Sequence, residues 1–145
     1  MTQEIQLPRK LANQLLHLAQ ISPKHEICGL ISAKNGLAQH CYPIQNVAEQ
    51  PEKQFLLAPH QQINALTKIR EKGETLFAIY HSHPTAPAQP SQEDICLSAY
   101  PDALNFIISL NTKGILEMQC FKYLTDSAIE IPLSLSDDPA CVTII

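Results

Sequence analysis

The sequence predicts an α/β domain built on a sheet, and three observations carry that reading. Apolar residues recur at helical spacing in some segments, while others alternate or run together over strand lengths. Glycine, asparagine and proline signals punctuate the boundaries between them. With 145 residues, 45% of them hydrophobic, the chain has the size of one domain and enough apolar material for a substantial core. The expected extent is one domain over residues 1–145; the order of strands in a mixed sheet does not follow from pattern alone.

The elements are justified in turn. Leu7, Leu11, Leu15 and Leu18, with Pro8 at a first helical position, predict an opening amphipathic helix. Glu26 to Ala33 and Leu37 to Ile44 read as strands joined across Lys34-Asn35-Gly36, a hairpin signal. Asn46 to Gln54 is polar loop. Ile63, Leu66 and Ile69 predict a helix from Pro59 to Lys72, stopped by Gly73. Thr75 to His83 is a buried strand, Ser91 to Tyr100 a third helix, and Leu104 to Leu110 an apolar strand. Asn111-Thr112-Lys113-Gly114 turns the chain, and Ile115 to Leu124 and Ala128 to Leu135 complete the strands. No repeats or low-complexity tracts interrupt this order.

Charge and composition exclude several classes of function. A net charge of −4 and a pI near 5.8, without any Lys/Arg-rich run, give no field for nucleic acid. The N-terminus has neither a basic segment nor an apolar one, and no apolar stretch is long enough to span a bilayer, so a soluble, cytoplasmic protein is expected. Five cysteines, Cys28, Cys41, Cys96, Cys120 and Cys141, form no C-x-x-C pair and argue against a disulfide framework. Most are expected to pack as small apolar residues, Cys96 between Ile95 and Leu97 among them. The missing C-x-x-C also argues against a zinc nucleobase deaminase.

The segment from His81 to Asp94 carries the chemistry. On an extended strand His81 and His83 face the same way, roughly 7 Å apart along the chain, with Ser82 opposite. Pro84 ends the strand and leaves the pair beside a Pro-rich loop. Asp94 opens the next helix, and a carboxylate beside two imidazoles suits zinc with one position open, although other divalent ions use such ligands. A plainer account also exists. Ser91-x-x-Asp94 resembles a helix-capping box, and a single histidine on an apolar strand is ordinarily a core residue satisfied by a hydrogen bond. The period-2 pair followed by a stop signal and an acidic helix start favours ligands. Glu93, one position away from Asp94, points elsewhere on the helix. His17, His40 and His60 read as solvated. Cys28 reads as packing.

The pattern His-x-His, seven residues, then Ser-x-x-Asp resembles the JAMM motif of the MPN-domain (Mov34/PAD-type) metalloproteases. Glu26 in His25-Glu26-Ile27-Cys28-Gly29 resembles that family's upstream glutamate, and Pro43 to Ala48 with Pro51, Phe55 and Pro59 is similar to the connecting segment of its short bacterial members. The resemblance runs from about Leu7 to Leu110. It implies a single MPN domain, a curved mixed β-sheet flanked by helices, with His81, His83 and Asp94 holding Zn²⁺. It also implies Glu26 as general acid–base and Ser91 as a hydroxyl donor to the oxyanion, a role helped by the helix N-terminus. Its substrates would be ubiquitin-like proteins, in bacteria sulfur carriers, or their adducts, cleaved after a C-terminal Gly-Gly. Two other readings are a noncatalytic MPN scaffold, which would typically lack the ligands, and a RadC-like DNA-repair protein. The Glu-x-Cys-Gly-Leu segment and the absence of an added helical domain argue against the latter.

Overall fold

The structure, a computed structural model, describes residues 4–111 and 117–136. In chain order it comprises β1 (Ile5–Pro8), α1 (Arg9–Gln20), β2 (Cys28–Lys34), β3 (Leu37–Ile44), α2 (Pro59–Glu71) and β4 (Thr75–His83). There follow α3 (Gln92–Cys96), β5 (Leu104–Ser109), β6 (Glu117–Tyr123), β7 (Ala128–Ile131) and β8 (Leu133–Ser136). Six strands form a mixed sheet in the order β3-β2-β4-β5-β6-β7, and β1 pairs with β8 in a separate parallel ladder. Within the large sheet β4 and β5 run parallel, and the other neighbours are antiparallel. A parallel pair requires a crossover connection, and here it carries α3 past the ends of the two strands.

Local chemistry explains the boundaries. Asn35 and Gly36 have φ of 54° and 78°, the paired positive angles of a two-residue type I′ turn between β2 and β3. Gly73, at φ 71°, ends α2; the Glu74 N–H donates to the Ile69 carbonyl at 3.0 Å, closing a Schellman motif. Register shifts on both sides of β2 around Ile31 to Ala33 mark a bulge, which bends and twists the sheet.

Alternation along β4 assigns the faces. Ala78 and Tyr80 join Phe106 and Ile108 of β5 beneath Leu11, Ala12, Leu15 and Ala19 of α1. Ile79 turns to the other face, with Cys28, Leu30, and Ala65 and Ile69 of α2. His81 and His83 continue the Ile79 face to the end of β4. Every residue of β5 is buried, as expected for a parallel strand covered on both sides.

Several expectations need correction. Leu7 and Pro8 belong to β1 rather than to the first helix, because Leu7 pairs with Leu135 far along the chain. The strand expected from Glu26 begins only at Cys28; the Ile27 N–H donates instead to Ser82 Oγ at 2.8 Å. The third helix is five residues long, not ten: Leu97 caps it while 72% exposed, and Tyr100 precedes Pro101, which disfavours helix. The last expected strand is two, divided at Pro132, whose ring nitrogen cannot donate to a ladder. Residues 112–114 of the expected turn, and the first two residues of the strand expected from Ile115, lie outside the described residues. No helix among the described residues is long and apolar enough to cross a membrane.

Candidate metal centre

β4 delivers two imidazoles to one point. His81 is 1% and His83 4% exposed, and their Nε2 atoms stand 3.1 Å apart. Ser82, on the opposite face, accepts from the Ile27 N–H, while its own N–H donates to the Ile27 carbonyl at 3.0 Å. His83 Nδ1 donates to the Pro87 carbonyl at 2.8 Å. A carbonyl can only accept, so this bond fixes the tautomer and leaves a lone pair on His83 Nε2, facing His81. The Pro-rich loop that supplies Pro87 is itself held, since Ser109 Oγ donates to the Ala86 carbonyl at 2.7 Å. On its other side His81 stacks on Phe55, with ring centroids 4.3 Å apart.

The start of α3 supplies the third group. Asp94 Oδ2 lies 3.2 Å from His81 Nε2 and 3.2 Å from His83 Nε2. The capping reading also holds: Ser91 Oγ accepts from the Asp94 N–H at 3.0 Å, and the Ser91 N–H donates to Asp94 Oδ2 at 2.9 Å. One carboxylate oxygen therefore serves both the cap and the imidazole pair, so the two accounts of Asp94 are not alternatives. A five-residue helix has little dipole, however, so the help expected for Ser91 from a helix N-terminus is small.

Glu26 reaches the site from the segment preceding β2. It is 4% exposed, and with His81 and His83 it can offer ligand atoms lying within 4.8 Å of one another. Its Oε1 finds no hydrogen-bond partner among the described residues. Burial pushes its carboxyl up to about 8, opposed by His83 and reinforced by Asp94 and Glu93. Burial holds His81 below the usual imidazole range. His83 lies above that range because Asp94 and the Pro87 carbonyl outweigh its burial. Asp94, although buried, is kept far below the usual carboxylate range by the two histidines.

The donor set fits a small divalent cation. Ligands about 2.0 Å from a tetrahedral ion stand roughly 3.3 Å from one another, and the His81–His83–Asp94 triangle has edges of 3.1, 3.2 and 3.2 Å. Without a cation the three atoms can share at most the protons of two imidazoles, and His81 Nδ1, on the far side of its ring, finds no partner among the described residues. The unpartnered Glu26 oxygen, buried beside them, completes a polar cluster that its hydrogen bonds alone do not satisfy.

The remaining residues sort by position. Cys28 Sγ donates to the Ile44 carbonyl at 3.4 Å, and burial pushes the thiol up to about 12, the behaviour of a packing residue. Cys96, expected in apolar surroundings, is exposed. Glu93 accepts from Gln54 Nε2 at 3.1 Å, away from the imidazoles. His17 and His60 are exposed, and His40 pairs with Glu74 at 3.1 Å. Sequence reasoning gave no role to Phe55 or Asn46. Both lie in the stretch similar to the connecting segment of short bacterial members, but that likeness attached no function to either side chain.

The family described as prokaryotic homologs of the JAB domain matches residues 8–121. A probable TtuB-protein conjugate cleaving protease of Thermus thermophilus is 36% identical over 90 residues, 61% of this chain and 60% of that protein. A desampylase of Haloferax volcanii is 31% identical over 91 residues, 60% of this chain and 64% of that protein. The chain thus spans about three fifths of the length of these curated relatives. In fold it is similar to a JAB1/MPN domain protein of Archaeoglobus fulgidus, with a TM-score of 0.59 at 17% identity over 92% of this chain and 98% of that one. With its mixed sheet, and with the family model matching residues 8–121, this chain belongs to the prokaryotic JAB group of the JAMM/MPN proteins.

Proposed function

We propose that this chain, acting as a single domain over residues 1–145, is a zinc-dependent peptidase or isopeptidase. Its substrates are ubiquitin-like sulfur-carrier proteins or their adducts, cleaved after a C-terminal Gly-Gly. The observation that carries the proposal is the tight triangle of His81, His83 and Asp94 with the unpartnered Glu26 carboxyl buried beside it. In this reading the triangle holds the metal, which when bound supplies Lewis acidity and a water nucleophile at neutral pH. Glu26 accepts the proton and returns it to the leaving amine; burial raises its pKa, and a cation held by the triangle would lower it again toward the ionised form that a base needs. The Ser91 hydroxyl, whose oxygen already accepts from Asp94, keeps its own proton to donate to the developing oxyanion. Phe55 shields one face of His81 from water.

The substrate part rests on two supports. One relative is named for cleaving TtuB-protein conjugates and another as a desampylase. A cavity of about 230 Å³ lined by Phe55, Leu56, Leu97 and Tyr100 has Asp94 on its wall, giving an extended tail an apolar bed at the site. A cytoplasmic setting is part of the proposal, and the free thiols of Cys28, Cys41, Cys96 and Cys120 support it.

The test is hydrolysis of fusions ending in Gly-Gly by protein of measured metal content. Glu26→Gln should keep zinc and lose about 10²–10⁴-fold in turnover. Replacing the terminal glycine by alanine or valine should cost on the order of 10²-fold, because a Cβ there displaces the scissile carbonyl. Near-normal turnover by Glu26→Gln would place the base elsewhere; a fully metallated protein that cleaves no such fusion would be a scaffold.

A further inference from the structure

Asn46, just beyond β3, uses every hydrogen-bonding position its amide commonly fills. Nδ2 donates to the Glu26 carbonyl at 3.0 Å and to the Gln54 carbonyl at 2.9 Å. Oδ1 accepts from the Ala48 N–H at 3.0 Å and from the Leu56 N–H at 3.0 Å. Two donors and two acceptor sites are thereby filled. The bond to Ala48 is an ordinary Asx turn and needs no function. The other three are different: one reaches Glu26, 20 residues back, and two brace the Gln54–Leu56 stretch, which the Val47 N–H also ties by donating to the Leu56 carbonyl at 2.9 Å.

Those segments carry Glu26 and Phe55. Phe55 lies between Gln54 and Leu56, both bonded to the Asn46 side chain, and its ring stacks on His81 at 4.3 Å. Glu26 is anchored through its backbone: its carbonyl accepts from Asn46, and its N–H donates at 2.7 Å to the Pro51 carbonyl of the same loop. The Oε1 atom of its carboxyl has no partner among the described residues to steer it. Where that carboxyl stands relative to the histidines is therefore set through the backbone, by the Asn46 bond together with those to Pro51 and, one residue on, between Ile27 and Ser82.

We infer that Asn46 is a positioning residue, whose amide places the Glu26 carboxyl against the His81–His83–Asp94 triangle and holds the Phe55 ring on His81. The Glu26 half rests on the proposed acid–base role of that residue; the Phe55 half does not. The four bonds lie in partly buried or exposed surroundings. Water can therefore replace the amide when it is removed, so the chain should still fold while the two segments lose their common reference point.

Asn46→Ala removes all four bonds. Asn46→Asp keeps the two acceptor bonds and turns a carboxylate oxygen toward the Glu26 and Gln54 carbonyls, repelling both. In the full chain loaded with zinc, each should lower kcat for a Gly-Gly fusion about 10–10²-fold, with KM within about twofold and metal content unchanged. In a Glu26→Gln background the same substitutions should cost less than about twofold, because no carboxyl remains to be positioned. Equal losses in both backgrounds would overturn the Glu26 half. A second readout needs no activity. The ring-proton resonances of His81, with or without zinc, should move downfield in Asn46→Ala as they do in Phe55→Ala, because the stacked ring's shielding is lost. Unmoved His81 resonances would overturn the Phe55 half. If no Gly-Gly fusion is cleaved, the proposed function fails, while the resonances still decide the placement. If both Asn46 variants unfold, the amide is structural and the inference falls.

Discussion

Glu26→Gln in the metal-free protein should change how stability depends on pH, and the size of the change follows from burial. The carboxyl has an ordinary value of 4.5 and is pushed up to about 8 in the folded chain. Between those values the folded state retains a proton that the unfolded chain has released. Stability that is fully present below pH 4.5 is therefore lost as pH rises toward 8. A pH of 7 lies 2.5 units above the unfolded carboxyl's ordinary value of 4.5, which corresponds to roughly 3 kcal/mol lost to this one group. Glutamine cannot ionise and loses none of it. Asp94, His81 and His83 are present in both proteins, and because Glu26 and His83 shift one another, the difference read out is that of Glu26 together with this coupling. Urea unfolding of chelator-treated wild type and variant at pH 5, 6 and 7 gives the comparison. Relative to its value at pH 5, the variant's advantage should grow by roughly 2–3 kcal/mol at pH 7. It should shrink again with zinc, since a neighbouring cation lowers the carboxyl's pKa. A difference that stays constant across this range would mean that Glu26 ionises normally and that the site is open to solvent, which would refute the reasoning.

Two further expectations concern the ligands and the sheet. His81→Ala and Asp94→Ala should each lose the metal on elemental analysis of protein purified without chelator, since two remaining protein ligands make a weak site; full occupancy in both would end the metal assignment. Gly29→Ala should lower the Tm by roughly 5–10 °C. The new Cβ would meet the backbone oxygen of Tyr42 and the hydroxyl and ring of Tyr80, and a backbone carbonyl fixed in the β2–β3 ladder cannot move aside. An unchanged Tm would mean that the Tyr42 carbonyl is not fixed and that the ladder gives way to the new Cβ.

How much was legible depended on whether the signal was local. His81 and His83 could be read because strand period alone puts them on one face, and Asp94 because a capping box announces itself over four residues. Glu26 was different. It lies outside regular structure, held by Pro51 and Asn46, so periodicity says nothing of it and only family resemblance singled it out. The overlong third helix came from the same limit: Ile95 and Leu97 have helical spacing, but Leu97 finds nothing to pack against and stays exposed. The β1–β8 ladder was invisible because its two halves are short and lie at opposite ends of the described chain.

That ladder bears on when the protein can finish folding as it is made. Ile5 and Leu7 are buried in the core beneath α1, yet their strand partners are Leu133 and Leu135. At ribosomal rates of about 5–20 residues per second, roughly ten seconds separate the synthesis of β1 from that of β8. Every candidate site residue, from Glu26 to Asp94, emerges within that interval. The hairpin, α2 and β4 can begin to assemble the imidazole pair while the first strand still waits with its apolar edge uncovered. A nascent chain stalled before β8 would then be the form most exposed to mispairing, and the arrival of Leu133 and Leu135 would decide when that exposure ends.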